Sequence, residues 1–482
     1  MTPLNVTRQF SRRQFLSDTA LGFGSMALLD LMQREGALQA APGHSVGTAD
    51  PFARPHQPAK AKSVIMLLQN GAPSQMDMFD PKPELQRRDG QKASEDVESF
   101  QPGSEADILM ASPFTFHKRG QCGMELSNLI PHLGSVADDL CLIRSMWNEN
   151  NNHPQGLRTL CTGKTFLGRP TLGSWVSYAL GSENQNLPSY VVLRDPDGYT
   201  VGGVSLWTNG WLPATHGGTE IQSRGTPVLN LQPASSLPDG VQPRTLQLIQ
   251  EFNQERRRLY PEDSRLEARI QQYELAARMQ RTAEKLLDVS SETAETQAMY
   301  GMGSPETDDY GRRCLMARRL VEAGVRFILV TVPIKYGAMP WDQHNNLQTD
   351  LPKICKQVDQ PSAALISDLK RRGLLDETIV LWSGEFGRLP ISQSKSGRDH
   401  NRFGFSLLLA GGGFKAGHIH GSTDDFGYRA TRNPVSCPDL LATILHQLGL
   451  DHEQLTYSHD GRDETLTDSA VTNAKVVREI VA

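Results

Sequence analysis

Asp342 and His344 close one apolar run, Glu385 and Arg388 follow a second, and Arg398, Asp399 and His400 share a short loop soon after it. Carboxylate oxygens mixed with imidazole nitrogens suit zinc, manganese or ferrous iron, whereas calcium prefers oxygen alone and magnesium keeps much of its water. His344 lies two residues beyond Asp342, so an extended loop lets both reach one ion. Asp399 and His400 are neighbours, which point apart on a regular strand and converge only in a loop. The plainer reading of the acids is pairing, with Glu385 answering Arg388 or Arg398. In the first half of the chain, His153 stands between an asparagine-rich stretch, 148–152, and a helical pattern from Gly156 onward. That position at a helix N-terminus favours an anion, because the first backbone N–H groups are free and the dipole is positive there.

The elements that must position these groups are apolar runs alternating with helical stretches. Strands are expected at 63–68, 140–143, 189–193, 326–332, 378–382 and 405–410, and helices at 126–138, 172–180, 351–372 and 439–448. Continuous apolar runs are typical of strands covered on both faces. The alternation indicates an α/β protein, doubly wound, with a mostly parallel sheet and helices on both faces. Ligands of such sheets bind beyond the carboxyl ends of the strands, where the candidate residues fall. The first strand breaks there into Gln69, Asn70 and Gly71. Residues 82–112 read as a polar surface excursion, and 242–287 as long surface helices divided at Pro261 and covering one side of the sheet. Trp207 and Trp211, in the Gly- and Thr-rich loop 198–225, are expected to pin that loop rather than stack on a sugar. Asp77 and Asp80 read as turn or capping groups, and His418 and His420 as surface residues.

A net charge of −5 and 21% charged residues give no pull toward nucleic acid or a membrane surface. No stretch downstream of the N-terminus approaches the ~18 apolar residues of a spanning helix, so a soluble mature protein without a stable membrane span is expected. The six cysteines lack CxxC spacing, and Cys141 and Cys161 sit in apolar surroundings as packed thiols. Arg12 and Arg13, ahead of a short, weakly hydrophobic segment, match a twin-arginine export signal. The expected partition is a signal region at 1–40, a mobile leader at 41–62, and one domain at 63–482 with a helical insertion near 242–290. The export machinery is then a partner, and the periplasm or the exterior the destination.

From Ser63 onward the chain resembles the DUF1501 family, bacterial and mostly twin-arginine-exported proteins often labelled sulfatase-like. The resemblance rests on Asp77, Phe79, Asp80, Pro81 and Pro83; on Thr162 and Gly163 with Pro170, Leu172, Gly173 and Trp175; and on Trp341, Asp342 and His344. It continues through 384–388, 397–400, 410–413 and 421–424. It implies an alkaline phosphatase-like fold of the wider phosphatase and sulfatase superfamily, with one or two divalent ions. Superfamily enzymes place a nucleophile nine residues before a Thr-Gly, which here is His153. Glu385 and Phe386 fall where the superfamily carries an aspartate and a histidine, His400 resembles its later histidine, and Asn70 falls near its early aspartate. No Cys-x-Pro-x-Arg signature exists for conversion to formylglycine.

What the resemblance implies is one ion, zinc, manganese or iron, held by Asp342, His344 and His400 with Asp399 or Glu385 assisting. His153 becomes a further ligand, a general acid or an anion contact. From their location in the chain, and not from the resemblance, Arg388, Arg398 and Lys164 are candidates to offset substrate charge. The expected function is an exported, metal-dependent hydrolase of sulfate or phosphate esters, small-molecule or polysaccharide. The rival is a non-catalytic protein of the same fold that binds polysaccharide or an exported partner, and a third reading is a sugar mutase or isomerase.

Overall fold

The computed structural model describes residues 55–482 apart from 94–96, 105–106, 225–240, 260–269, 272, 276–277, 280–285 and 333–338. The twin-arginine signal and most of the expected leader lie outside the described residues.

At the centre is β1 (Ser63–Leu68), six residues buried on both faces. Alternate side chains enter opposite cores: Ile65 and Leu67 join one cluster, while Val64, Met66 and Leu68 join the other. Each such side chain stabilises the fold by about 1.5–3 kcal/mol. The other strands of the sheet are β2 (Leu140–Trp147), β3 (Tyr190–Leu193), β4 (Thr219–Glu220), β5 (Phe327–Thr331) and β6 (Thr378–Ser383). After a small two-stranded ribbon of β7 (Gly387–Arg388) and β8 (His400–Asn401), the main sheet resumes with β9 (Phe405–Ala410), β10 (His418–His420) and β11 (Val435–Ser436). The order is β10-β2-β9-β6-β1-β5-β3-β4, with β11 also on β2. Only β9 runs antiparallel to its neighbours β2 and β6. The sheet is thus mostly parallel, as its apolar runs predict.

Helices cover both faces. On one face lie α2 (Pro131–Ser135), α5 (Asp308–Glu322) and α6 (Leu347–Arg371), and on the other α3 (His153–Thr162), α4 (Leu172–Leu180) and α7 (Cys437–Gln447). The short α1 (Gln75–Met78) follows β1. Local signals set several ends. Ser436 and Asp439 form a capping box at the start of α7, and Gly163, at φ 76°, ends α3 in the left-handed conformation.

Register decides where the chain leaves the sheet. Leu68 lies opposite Thr331 of β5 and Ser383 of β6, so three parallel strands end level and their next residues open on one edge.

Four expectations need correction. Residues 126–138 are not one helix. A hairpin, Phe116–Arg119 with Met124–Ser127, precedes α2 and a single 3-10 turn, because Pro131 starts the helix and Gly134 soon weakens it. Residues 57–62 are docked rather than a mobile leader: Lys60 and Ala61 donate N–H to the Gln447 carbonyl, both at 2.8 Å, and Ala61 is buried. The helix Val241–Leu259 does not cover the sheet with its apolar stripe, since Leu248, Phe252 and Leu259 are 51%, 63% and 63% exposed. His420 is buried on β10 rather than a surface residue. The six cysteines are free, five of them buried. Trp207 is buried, and Trp211 is stacked on His459 at 5.2 Å, so both pin their loop. Among the described residues no helix is long and apolar enough to cross a membrane.

Candidate metal centre

Loops from the level ends of β1, β5 and β6, together with the loop after β2, meet at Asp342. Its Oδ1 lies 2.8 Å from His344 Nε2, 3.2 Å from His400 Nε2 and 3.2 Å from His153 Nε2. The last contact is near enough for an ion pair but misaligned for a hydrogen bond, and His153 Nε2 has no hydrogen-bond partner. His344 and His400 face each other through their Nε2 atoms at 3.0 Å.

Each imidazole is held from behind. His400 Nδ1–H donates to the Asn151 carbonyl at 2.6 Å. His344 Nδ1–H donates to Gln393 Oε1 at 2.5 Å, and Gln393 is oriented because its Nε2 donates to the Pro102 carbonyl at 2.9 Å. His153 Nδ1–H donates to Glu385 Oε1 at 2.5 Å, while the same carboxylate accepts the Gly71 N–H at 3.0 Å. A carbonyl or carboxylate can only accept, so all three rings carry Nδ1–H and turn an Nε2 lone pair inward. Acceptors behind each ring are the usual second layer of a metal site.

The result is an excess of acceptors. Three Nε2 lone pairs and one carboxylate oxygen converge, and Arg388 Nη2, 2.6 Å from Asp342 Oδ1, is the donor facing them. Burial opposes ionisation of Asp342, yet the Arg388 guanidinium beside it holds its carboxyl far below the ordinary range. Burial pushes His400 down to about 3, against the pull of Asp342, so it is neutral at pH 7. Burial also disfavours charge on His153, but Asp342 and Glu385 outweigh it and raise its pKa. The raised basicity of His153 suits its Nε2 to a ligand's role, where a divalent ion would compete with a proton. His153, Asp342 and His400 converge closely enough to share an ion. Bonds of 2.0–2.1 Å put tetrahedral donors about 3.3 Å apart, and octahedral ones somewhat nearer, so donor separations of 2.8–3.2 Å fit either zinc or a six-coordinate metal. By their mutual distances Asp342, His344 and His400 fit the ion that the sequence implied, and His153 forms a further set with Asp342 and His400.

The local sequence explains the convergence. Asn148 and Asn150 accept N–H groups two residues on, at 3.3 and 2.8 Å, and these successive turns deliver the Asn151 carbonyl and His153 together. A Cβ on Gly71 (φ +110°) would stand 2.9 Å from the Trp341 nitrogen, and one on Gly397 would overlap the His344 carbonyl at 2.2 Å. Both glycines let the loops close on one another. Phe386 packs its ring 4.8 Å from that of His153 and 4.9 Å from that of His400, an apolar floor where the resemblance placed a histidine.

Other assignments shift. Arg388 is buried and donates to the Ala72, Arg398 and Gly71 carbonyls as well as to Asp342, so it positions the centre and has no free face for substrate. Arg398 is fully buried in a two-pronged pair with Asp77 at 2.7 and 3.2 Å and is not a substrate contact. Lys164 pairs with Asp468 at 3.2 Å past the far end of α3, roughly 16 Å along that helix from His153, so it too is no substrate contact. Glu385 is wholly buried and acts through His153. Asp399 could share an ion with His344 and His400, but its Oδ2 accepts N–H from Phe100 and Gln101 at 2.7 and 2.8 Å, and its Oδ1 accepts from His400 at 2.8 Å. With three amides on its oxygens and His344 Nδ1 already turned to Gln393, Asp399 anchors the wall of the site rather than the ion. Ser74 Oγ donates to Asp77 Oδ2.

Gln393, Asn148 and Phe100 were not foreseen; a lone glutamine in a polar loop carries no sequence signal. Phe100 comes from the surface excursion and stacks on His400 at 4.9 Å. Asn70, at the position of the expected early acid, is wholly buried with neither amide atom partnered.

Fold and site together define an α/β protein with a histidine-and-carboxylate centre at the carboxyl edge of its sheet. The chain belongs to the family described as "Protein of unknown function (DUF1501)", whose model matches residues 61–481. Among solved structures it is similar to the PsFucS1 sulfatase from Pseudoalteromonas sp., with 14% identity, 94% of this chain and 76% of that one covered, and a TM-score of 0.36. It is also similar to the phosphonate monoester hydrolase SpPMH from Silicibacter pomeroyi, with 11% identity, 87% and 76% covered, and a TM-score of 0.34. A protein in the alkaline phosphatase superfamily from Vibrio parahaemolyticus gives 11%, 88% and 75%, and 0.33. No curated protein matches.

Proposed function

We propose that this protein is an exported, metal-dependent hydrolase of phosphate or sulfate esters, with Asp342, His344, His400 and His153 holding one divalent ion. The observation that carries the reading is the convergence of three inward Nε2 lone pairs on one carboxylate oxygen, each ring fixed from behind. A divalent ion there supplies Lewis-acid stabilisation of charge developing on an ester oxygen. The protein's own groups do the rest. Glu385, Gln393 and the Asn151 carbonyl hold the rings in the ligating tautomer, and Arg388 keeps Asp342 ionised. Phe386 and Phe100 exclude water around His400. Asp342 and His344 are each 18% exposed in their side chains, against 6% and 1% for His153 and His400, so substrate approaches from the Asp342 and His344 side. Among the described residues no side-chain hydroxyl bonds to these groups, which supports attack by water and leaves the formylglycine route without a residue.

The test is the metal content of protein isolated from its exporting host without chelator, with His344→Ala and His400→Ala beside it. About one equivalent of zinc, manganese or iron, lost in both variants and accompanied by turnover of nitrophenyl phosphate or sulfate, is expected. A well-folded native protein without metal overturns the reading. Metal without turnover of any ester selects the binding protein instead. Export is tested by Arg12→Lys with Arg13→Lys, which should leave the full-length chain in the cytoplasm.

A further inference from the structure

The basic residues first assigned to substrate are committed elsewhere, which leaves the question of what meets an anion at this centre. Arg402 lies two residues beyond His400, with its side chain 32% exposed. Its guanidinium grips Glu98 with both arms, Nε to Oε1 at 3.1 Å and Nη2 to Oε2 at 3.0 Å, and gives Nη1 to the Glu149 carbonyl at 3.1 Å. Glu98 in turn is two residues before Phe100, whose ring lies flat on His400 with planes 19° apart. Two residues of chain span at most ~7 Å. The carboxylate on Arg402 and the ring on His400 therefore cover adjoining places.

The segment that brings them, residues 97–104, is held mostly by polar contacts. Glu98 donates its N–H to the Tyr428 hydroxyl at 3.0 Å, Phe100 and Gln101 donate to Asp399, and Pro102 accepts from Gln393. Phe100 remains 39% exposed. The Glu98–Arg402 pair is itself exposed, and such a pair contributes ~0.2–1 kcal/mol. The Glu98–Arg402 bonds are exposed, while those to Tyr428, Asp399 and Gln393 are half-buried and Val97 packs against an apolar cluster, so opening of this segment begins at Glu98 and Phe100.

We propose that Arg402 is the residue that reads the anionic group of the substrate, and that Glu98 holds that place while residues 97–104 cover the ion. The inference rests on the metal-site reading above. When the flap swings out, Glu98 leaves Arg402 and Phe100 leaves His400, so one movement bares both the cation and the face of the centre. Closure without substrate keeps water and adventitious anions away.

The experiment uses the zinc-loaded full chain with inorganic phosphate and inorganic sulfate as separate probes. Phe100→Ala should speed removal of zinc by a chelator about tenfold, while equilibrium zinc affinity changes no more than about threefold. Glu98→Gln should tighten phosphate or sulfate binding by roughly fivefold to tenfold, and Arg402→Gln should weaken it about tenfold, with Arg402→Lys restoring part of the loss. The anion that responds identifies the ester class. If zinc binds stoichiometrically but extraction by chelator and affinity for both anions are the same in Phe100→Ala, Glu98→Gln and wild type, the flap is refuted and the metal site stands. If wild-type protein takes up no metal ion, both readings fall.

Discussion

Replacing Glu385 by glutamine separates a metal-supporting carboxylate from a merely buried one. The carboxylate takes His153 Nδ1–H at 2.5 Å on Oε1 and the Gly71 N–H at 3.0 and 3.2 Å on its two oxygens. Glutamine keeps the shape but offers one acceptor oxygen and an NH2 group. With the amide oxygen at the Oε1 position both donors keep an acceptor, but an NH2 group without an acceptor replaces the Oε2 that lies 3.2 Å from the Gly71 N–H, and the negative charge that raises the basicity of His153 is gone. Loss of such a partner behind a ligating histidine costs about 10–100-fold in metal affinity, or roughly 1.4–2.7 kcal/mol. Leaving a buried donor unmet should lower metal-free stability by about 1–3 kcal/mol in addition. Zinc affinity would be measured by competition with a chelator at fixed pH, and metal-free stability by urea unfolding, so that the two effects are read separately. Zinc binding as tight as wild type, in a variant whose metal-free stability has fallen, would show that His153 is outside the ligand set. Equal affinity together with equal stability would refute the hydrogen-bond argument itself.

Three further outcomes follow from particular side chains. The buried Arg398–Asp77 pair predicts that Arg398→Met alone costs about 3–5 kcal/mol, because Asp77 is left as an unanswered buried charge, while Arg398→Met with Asp77→Leu recovers much of that loss; urea titrations of both variants check it, and equal losses would refute it. Burial lowers His216 to about 4 from its ordinary 6.5. Because the folded state holds it neutral, its contribution is complete above about pH 6.5 and is lost as pH falls toward 4, by at most about 3 kcal/mol; His216→Gln should flatten that part of the stability curve, and an unchanged slope would count against it. Asn70→Ala should leave stability unchanged or raise it by up to about 1 kcal/mol, since both amide atoms lack partners; a loss above about 2 kcal/mol would show that the amide is satisfied in solution.

Much of the fold was legible because the strands are continuous apolar runs. The runs at 63–68, 378–382 and 405–410 can bury both faces only in the middle of a sheet, and the observed strands Ser63–Leu68, Thr378–Ser383 and Phe405–Ala410 do so. The stretch around 126–138 misled because its apolar spacing suits a helix over a short span, whereas Pro131 and tertiary pairing with 116–119 divide it. Of the site, Asp342, His344 and His400 were readable from donor chemistry and from their places beyond strands. Ligand types can be listed from a sequence, but which atoms turn inward depends on groups tens to hundreds of residues away. Gln393 reaches His344 across 49 positions, Glu385 reaches His153 across 232, and Asn151 reaches His400 across 249.

The sequence by itself determined the layered α/β architecture, the edge at which chemistry could occur and the kinds of donor present there, because burial and hydrophobic period are local properties of the chain. Only the tertiary structure decided that His153 joins the centre, that Asp399 is spent on backbone amides, and that Arg388, Arg398 and Lys164 are committed to the protein. Those outcomes depend on competition among partners in three dimensions: a charged side chain in the interior goes to whichever acceptor or donor the fold brings nearest, and the order of residues does not record that distance.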